Sequence, residues 1–266
     1  MILRPRTYFT VDGGGVGVSN PRMTFRAAWK LCWFLLEIVI CVIDYVFTTA
    51  FVSRRSKRLA RARWLQRACR RQIKIYSCDY SSTGPIPQSG LLVSNHLSYL
   101  DIMVIGAITP SVFVSKSEVR GWPVIGWLTS LAGTLYIVRE RRTHVGVVNQ
   151  EIGSALADGV LVVVFPEGTS TNSEVVLPFR SPLLEPVTHG NHPIATGYLH
   201  YELEGGDARN EVCYWGDHNF FTHAVNLLSK QGRVNATMRF GTFQRTTDDR
   251  KELAIQLREA VLKLKG

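Results

Sequence analysis

The chain has 266 residues, of which 45% are hydrophobic and 20% charged, and its formal net charge at pH 7 is +10. This composition excludes an intrinsically disordered chain. The length suits one large α/β domain with an appendage, since domains usually hold roughly 100–200 residues. The five cysteines form no CxxC pair, which indicates a reducing compartment without a disulfide framework.

The first segment, residues 1–23, contains the glycine-rich stretch DGGGVGVSNP. Its glycines lack the GxGxxG spacing of a phosphate-binding loop, and no predicted strand precedes them. We therefore interpret residues 1–23 as a flexible N-terminal tail.

Residues 27–52 form an apolar run that predicts a single long helix. At 1.5 Å per residue this helix would be about 39 Å long, which is enough to cross a bilayer core of roughly 30 Å. No small-residue cleavage site follows it, which disfavours a removed signal peptide. We expect a membrane-embedded helix, and the alternative is a buried core helix of a soluble protein.

Three charged residues interrupt this run, and Lys30, Glu37 and Asp44 share one helical face because they are seven residues apart. Charges deep in lipid are costly, so this face should meet protein or water. The arginine-rich segment 54–75 is its predicted partner. Two arrangements stay open, namely a helix that crosses the bilayer and a two-helix unit that lies in one leaflet.

A basic block extends from Arg54 to Lys74, with ten Lys or Arg residues and no acidic residue. Such a block predicts an anionic partner, either lipid headgroups or nucleic acid. Its one aromatic residue, Trp64, is too little for the stacking platform that single-stranded nucleic acid requires. We expect lipid and no nucleic acid, with this flank on the cytoplasmic side. A membrane-anchored nucleic-acid-binding protein is the alternative from another class.

The pattern changes to alternating strands and helices after Pro85 and Pro87. Short apolar runs predict strands at 91–95, 111–116, 134–139, 160–166, 192–201 and 235–240. Helical patterns lie at 101–108, 143–158, 220–229 and 248–264. The predicted fold class is α/β, with a mixed, largely parallel sheet flanked by helices and an N-terminal membrane-embedded helical segment. We divide the chain into the tail at 1–23, anchoring helices with the basic block at 24–80, and an α/β domain at 81–266.

A histidine and an aspartate carry the main chemical signal. His96 follows the strand at 91–95, and Asp101 comes five residues later at the start of a helix. A turn between them would bring the carboxylate against one imidazole nitrogen, fix the tautomer and leave the other nitrogen as a base. This is the His–Asp half of a catalytic triad, whose nucleophile would be a hydroxyl of the substrate. By itself the spacing is common by chance.

Two further segments lie at predicted strand ends. The segment FPEGTS at 165–170 ends the apolar strand, and ligands of α/β sheets bind at the carboxyl ends of strands. Arg139 closes the strand at 134–139, and its planar fork suits an anionic headgroup. Lys116 closes an earlier strand. The alternatives are a plain strand-ending turn at 165–170 and surface positions for Arg139 and Lys116.

In this order the segments resemble the motif blocks of the PlsC-type lysophospholipid acyltransferases, a family of bacterial and organellar enzymes. NHLSYLD is similar to the family's NHxxxxD block, GTLYIVR to its GxxFIxR block, and FPEGTS to its FPEGT block. HPIATGYL at 192–199 resembles the weaker fourth block, and the resemblance covers roughly residues 90–245.

The resemblance implies a role for each matching residue. His96 would be the general base, Asp101 would orient it, and Arg139 would bind the headgroup of the acceptor. The other residues expected in the substrate site are Asn95, Lys116, Glu167, Gly168 and Thr169. Backbone N–H groups near Gly168 or in the turn after His96 would stabilise the oxyanion.

The implied reaction moves a fatty acyl group from acyl-CoA or acyl carrier protein to the hydroxyl of a lysophospholipid such as 1-acylglycerol-3-phosphate. No metal or redox cofactor is implied, the partners are membrane lipids and the two substrates, and the expected location is the cytoplasmic face of a bacterial inner membrane. Ser170 departs from the family pattern, since many members have an arginine there as a phosphate contact. Arg180 is the nearest downstream basic residue, and FPEGTS resembles the lyso-ornithine lipid branch at least as well.

Two other interpretations are weaker. A lipase or esterase would need a nucleophilic serine, and the chain has Ser98 and Ser170 but no GxSxG elbow. His189 and His192 lie in the polar loop HGNH without the spacing of a metal site.

Overall fold

The computed structural model describes residues 25–53, 56–138 and 142–266, with the backbone alone for 142–144. The predicted tail at 1–23 therefore lies outside the described residues. So do Arg54, Arg55 and Arg139.

A seven-stranded sheet forms the centre of the molecule, in the order β1-β7-β6-β2-β5-β3-β4. The strands are β1 Cys78–Thr83, β2 Gly90–Ser94, β3 Ser111–Lys116, β4 Leu135–Ile137, β5 Leu161–Val164, β6 Ile194–Leu203 and β7 Val234–Phe243. Strands β6, β2, β5, β3 and β4 are mutually parallel, whereas β7 is antiparallel to β6 and parallel to β1. The predicted mixed, largely parallel sheet is confirmed.

Eight α-helices surround this sheet in the described part of the chain. They are α1 Phe25–Thr49, α2 Lys57–Ile75, α3 Leu100–Ile108, α4 Ile125–Ala132, α5 Arg142–Ala157, α6 Ala208–Glu211, α7 Phe220–Ser229 and α8 Arg250–Lys263. Two 3₁₀ helices, Ser117–Gly121 and Pro182–Val187, join them. Every described element that the sequence predicted is present, and most ends differ by one to three residues.

The sequence prediction missed the edge strand β1 and the short helix α4. Strand β1 reads CDYSST, and most of its side chains are exposed or half-buried. An edge strand of this kind has no apolar run, because it is held mainly by its parallel backbone pairing with β7. Because β1 begins at Cys78, the sheet crosses the boundary that the sequence placed between residues 80 and 81.

The central strands β2 and β5 are buried along their whole length because helices cover both faces of the sheet. Leu92 and Val163 pack with α2 and α3 on one face, whereas Leu91 and Val162 pack with α5 and α8 on the other. This alternation explains why the two strands read as continuous apolar runs. Burying one such side chain contributes about 1.5–3 kcal/mol.

Helix α1 lies antiparallel to α2, and its charged face is used in this contact. Arg67 Nε lies 3.0 Å from Asp44 Oδ2, and Arg71 Nε lies 3.2 Å from Glu37 Oε2. Near the other end of the seam, Lys30 Nζ donates to Ser77 Oγ at 3.0 Å. The prediction that this face meets protein, with the arginine-rich segment as the main partner, is confirmed.

The opposite face of α1 consists of exposed apolar side chains. Its large exposed residues are Phe25, Trp29, Leu31, Leu35, Leu36, Val39, Ile40, Ile43, Val46 and Phe47. The helix is long and apolar enough to cross a membrane, and only 11% of its most apolar 18-residue window is buried. This exposure argues against the alternative of a core helix in a soluble protein.

Much of the basic block contacts the protein itself, which corrects the expectation that the block as a whole serves an external anion. Arg61 donates to the carbonyl oxygen of Leu131 at 2.5 Å and to that of Ser130, both in the last turn of α4. Arg70 donates to Ala107 O at 2.8 Å, in the last turn of α3. Helix C-termini favour such cations because their last carbonyl groups have no partner within the helix.

The exposed basic residues of α2 are Lys57, Arg63, Arg70 and Lys74. Helix α2 also connects three other helices, namely α1, α3 and α4. We call these contacts the clamp; they are made by Gln66, Arg61, Arg67, Arg70 and Arg71.

We expect Arg61→Ala to lower the free energy of unfolding by about 1–3 kcal/mol, because two carbonyl groups at the end of α4 lose a charged donor. The matched control is Arg63→Ala, since Arg63 is exposed two residues later on the same helix, and its loss should stay within about 0.5 kcal/mol. Thermal unfolding in one detergent measures both variants. Equal losses would contradict the clamp.

Candidate active site

The carboxyl ends of three parallel strands bring the described site segments to one edge of the sheet. His96 follows β2, the segment 165–170 follows β5, and Lys116 ends β3. Arg139 comes two residues after the end of β4, outside the described residues. This edge is where ligands of parallel α/β sheets bind, because the loops after neighbouring strands converge there.

The His96 imidazole and the Asp101 carboxylate are in direct contact. His96 Nδ1 lies 2.7 Å from Asp101 Oδ2. The backbone N–H of Leu97 donates to the same oxygen at 2.7 Å, and that of Ser98 donates to the carboxylate at 3.1 Å. The turn between the two residues thus folds back onto Asp101, which lies in the first turn of α3 and is fully buried.

Tyr201 provides another donor to Asp101, and the sequence analysis did not identify it. Its hydroxyl donates to Asp101 Oδ1 at 2.8 Å from the neighbouring strand β6. Burial, together with the negative charge of Asp101, raises the pKa of Tyr201 well above its ordinary value, so the phenol keeps its proton. The carboxylate therefore has its orientation fixed from two strands and from the turn.

The imidazole of His96 contacts Asp101 at its edge and Phe165 on its face. Its ring stacks on Phe165, with 4.3 Å between the ring centroids and 16° between the planes. The His96 side chain is 23% exposed, whereas that of Asp101 is completely buried. Because Nδ1 contacts Asp101, Nε2 is the ring atom that can exchange a proton with a substrate.

Glu167 bonds to the backbone of the turn that contains His96. Its Oε1 accepts from the backbone N–H of His96 at 2.8 Å, and its Oε2 accepts from that of Leu177 at 2.7 Å. Burial raises the pKa of this carboxyl to about 7, although both N–H donors act in the other direction. The contacts give Glu167 a positioning role, in which it joins the His96 turn to the loop at Leu177.

Asn95 also has a place different from the substrate contact expected for it. Its Oδ1 accepts from Leu199 N at 2.7 Å, and its Nδ2 donates to Leu199 O at 3.0 Å. The side chain is buried and thus fixes the end of β2 to β6. We assign it a positioning role.

The backbone conformation after Glu167 favours a glycine. Gly168 has a φ of 77°, which glycine adopts readily, and its N–H donates to Phe165 O at 3.1 Å. Thr169 is exposed. Ser170 Oγ donates to the backbone carbonyl of Tyr214, so the position where many family members have arginine is used to attach the loop at Tyr214.

The backbone amides expected to stabilise the oxyanion have acceptors within the protein. The N–H groups of Leu97 and Ser98 donate to Asp101, and that of Gly168 donates to Phe165 O. The backbone N–H of His96 donates to Glu167. These four amides are engaged in holding the turn, and a donor to the oxyanion from this region stays a prediction.

Three further residues that the sequence singled out are Lys116, Ser98 and Ser170. Lys116 is exposed at the end of β3. Ser98 is fully buried, and Ser170 bonds to Tyr214, so neither serine has the exposed position that a nucleophile elbow requires. Among residues 25–53, 56–138 and 142–266, no group of three or more His, Cys, Asp or Glu side chains could hold a metal ion.

The raised pKa of Glu167 predicts a specific dependence of stability on pH. Between about pH 4.5 and 7 the folded state binds the Glu167 proton more tightly than the unfolded chain does. The free energy of unfolding should therefore fall as the pH rises through this window, by an amount on the order of 3 kcal/mol at most, since one pKa unit is about 1.4 kcal/mol.

Glu167→Gln removes this contribution, so the difference in stability between wild type and variant should change with pH in that window. Denaturant unfolding at a series of pH values measures it, with Glu174→Gln as the matched control, because Glu174 is exposed. If the free energies of unfolding of wild type and Glu167→Gln differed by the same amount from pH 4.5 to 7, the raised pKa of Glu167 would be contradicted.

Comparison with known proteins agrees with this geometry. The Acyltransferase family model matches residues 72–200, which include His96, Asp101 and Glu167. The lyso-ornithine lipid O-acyltransferase of Pseudomonas aeruginosa is 33% identical over 201 residues, which are 74% of this chain and 75% of the relative. That of Rhodobacter capsulatus is 34% identical over 203 residues, 73% and 72% of the two chains.

A 1-acyl-sn-glycerol-3-phosphate acyltransferase of Neisseria gonorrhoeae is 32% identical over 128 residues, 48% of this chain and 50% of the relative. The crystal structure of PlsC, the 1-acyl-sn-glycerophosphate acyltransferase of Thermotoga maritima, has the same fold, with a TM-score of 0.61 at 18% identity. The match covers 91% of this chain and 95% of that one. With its His–Asp pair at the carboxyl edge of the same sheet, the chain belongs to the family of PlsC-type lysolipid acyltransferases.

Proposed function

We propose that this acyltransferase uses His96 as the general base that moves an acyl group from acyl-CoA or acyl carrier protein to the free hydroxyl of a lysolipid. The observation that carries the proposal is the 2.7 Å contact between His96 Nδ1 and the buried Asp101, with the imidazole itself partly exposed. A base in this geometry needs a substrate hydroxyl as nucleophile, because neither Ser98, which is buried, nor Ser170, which bonds to Tyr214, is placed to act as one.

The proposed steps follow from the arrangement of the ring. As the lysolipid oxygen attacks the thioester carbonyl, Nε2 of His96 takes the hydroxyl proton, and Asp101 stabilises the imidazolium that forms. The tetrahedral intermediate then collapses, the C–S bond breaks, and the imidazolium returns the proton to the thiolate that leaves. The products are the acylated lipid and the free thiol of the carrier.

The acceptor is proposed to be lyso-ornithine lipid, with 1-acylglycerol-3-phosphate as the second candidate. Ser170 stands where many family members have a phosphate-binding arginine, and its hydroxyl is used by the Tyr214 carbonyl. Two relatives are named for lyso-ornithine lipid, and this chain covers 75% and 72% of their lengths. The two Neisseria relatives named for 1-acylglycerol-3-phosphate match over 48% of the chain.

We place the enzyme in one leaflet, at the cytoplasmic face of a bacterial inner membrane. Helix α1 is paired with the charged helix α2 from Asp44 to Glu37, and Lys30 then bonds to Ser77 beside the sheet. A transverse orientation of α1 would draw α2 and part of the sheet into lipid, which is costly for their charges. An in-plane orientation buries only the apolar face of α1. The five free cysteines fit a reducing cytoplasm.

We expect His96→Ala to reduce acyl transfer by a factor of about 10²–10⁴, because the general base is lost. Membrane association should stay at the wild-type level, since α1 is a separate segment. Turnover is measured with labelled acyl thioester and a panel that contains lyso-ornithine lipid, 1-acylglycerol-3-phosphate and other lysolipids. His200→Ala is the matched control because its half-exposed side chain lies on β6. Near-normal turnover of His96→Ala would refute the general-base role.

Arg139→Ala should raise the KM for the lysolipid and leave the KM for the acyl thioester nearly unchanged, because Arg139 is proposed to bind the acceptor headgroup. A lost charged hydrogen bond corresponds to about 1.5–3 kcal/mol, or roughly 10–100-fold in KM. Initial rates with each substrate varied in turn provide the measurement, and Arg63→Ala is the control. A defect confined to the thioester would contradict this assignment.

A further inference from the structure

Exposed apolar side chains outside α1 occur beside the catalytic edge. Val124 is 42% exposed, Trp127 49% and Phe221 66%. They belong to the turn before α4, to α4 itself and to the first turn of α7. We call these residues, together with Trp122 and Phe220, the apolar rim. Such residues are unfavourable in water, so their position calls for a partner.

The apolar rim is packed against the catalytic turn through aromatic rings. The Trp122 ring lies 4.7 Å from Phe220, and Phe220 lies 5.0 Å from Tyr99, measured between ring centroids. Tyr99 is part of the turn between His96 and Asp101. Any surface that the rim contacts is therefore held close to the reacting imidazole.

The tip of the rim has a strained backbone. Val124 has a φ of 62° and a ψ of −54°, and the N–H of Ile125 donates to Pro123 O at 2.6 Å. This γ-turn is rare, and for a β-branched residue it is costly. The turn also requires glycine at position 126, because a Cβ there would lie 2.1 Å from Arg120 O. A strained turn that presents an exposed valine suggests a function outside the folded core.

The helices that carry the rim pack against α1. On α4, Leu128 and Leu131 pack with Cys41 of α1 and Trp64 of α2. Helix α7 also packs against α1. The elements that carry the rim therefore flank α1, whose outward face is the proposed membrane anchor.

We propose that the apolar rim is a second lipid-contacting surface, which seats the acyltransferase domain on the bilayer and brings the His96 edge to the lysolipid. The occupant is the phospholipid surface itself, because the rim adjoins the anchor and contains two tryptophans, which favour membrane–water interfaces. The inference rests on the proposed lysolipid acceptor and on the membrane contact of α1.

The activity test compares one lysolipid acceptor presented in phospholipid vesicles with the same acceptor in detergent micelles. The double variant Trp127→Ser and Phe221→Ser should lose at least about tenfold in the vesicle assay, equal to ~1.4 kcal/mol, and stay within about twofold in micelles. Val175→Ser and Ile255→Ser form the matched control, since both residues are exposed to a similar degree. Unchanged vesicle activity, or equal losses in both assays, would overturn the proposal.

A binding test works without any turnover. Vesicles with brominated acyl chains quench tryptophan fluorescence, and the difference between wild type and Trp127→Phe isolates the signal of Trp127. We expect this signal to be quenched; an unquenched signal refutes the rim, even where acyl transfer proceeds. Quenching in a protein that fails to acylate any lysolipid supports the rim and rejects the proposed function. Light scattering that shows a dimer in wild type and a monomer in the double variant would overturn the lipid assignment.

Discussion

The site depends on one buried carboxylate whose orientation is fixed from several directions. Asp101 accepts from His96, from the backbone N–H groups of Leu97 and Ser98, and from the Tyr201 hydroxyl. Its donors are in place before any proton moves, so the charge that develops on His96 needs no reorganisation of the site. The turn, α3 and β6 all converge on this group, and its loss would release the imidazole from each of them.

The positioning residues extend this constraint through the domain. Glu167 joins the His96 turn to the loop at Leu177, and Asn95 joins the end of β2 to β6. Helix α2 adds a third connection. Two of its arginines bond to the ends of α3 and α4, and another pairs with an acidic residue of α1. Helix α1 and the His96 turn are therefore connected through α2 and α3, and this connection would fix the proposed site relative to the membrane.

Much of this arrangement could be read from the sequence, because its signals are local. The apolar runs predicted the central strands, and the spacing of His96 and Asp101 predicted their contact. The role of Tyr201 could not be read in this way, since only the register of β6 beside β2 brings its hydroxyl to Asp101. The contacts of Arg61 and Arg70 could not be predicted either, because a pattern of side chains does not show the carbonyl groups at the ends of α3 and α4.

The chemistry itself requires a boundary between water and lipid. In the proposed reaction, a thioester on coenzyme A or on a carrier protein arrives from water, whereas the lysolipid stays in the bilayer. The imidazolium–carboxylate pair that forms during transfer gains strength where water is excluded. Since Asp101 is fully buried and His96 is open on one side, a lipid surface across that opening would complete the exclusion of water. Under the proposed lipid contact, the apolar rim seats the His96 turn against the membrane and takes no part in the proton transfer itself.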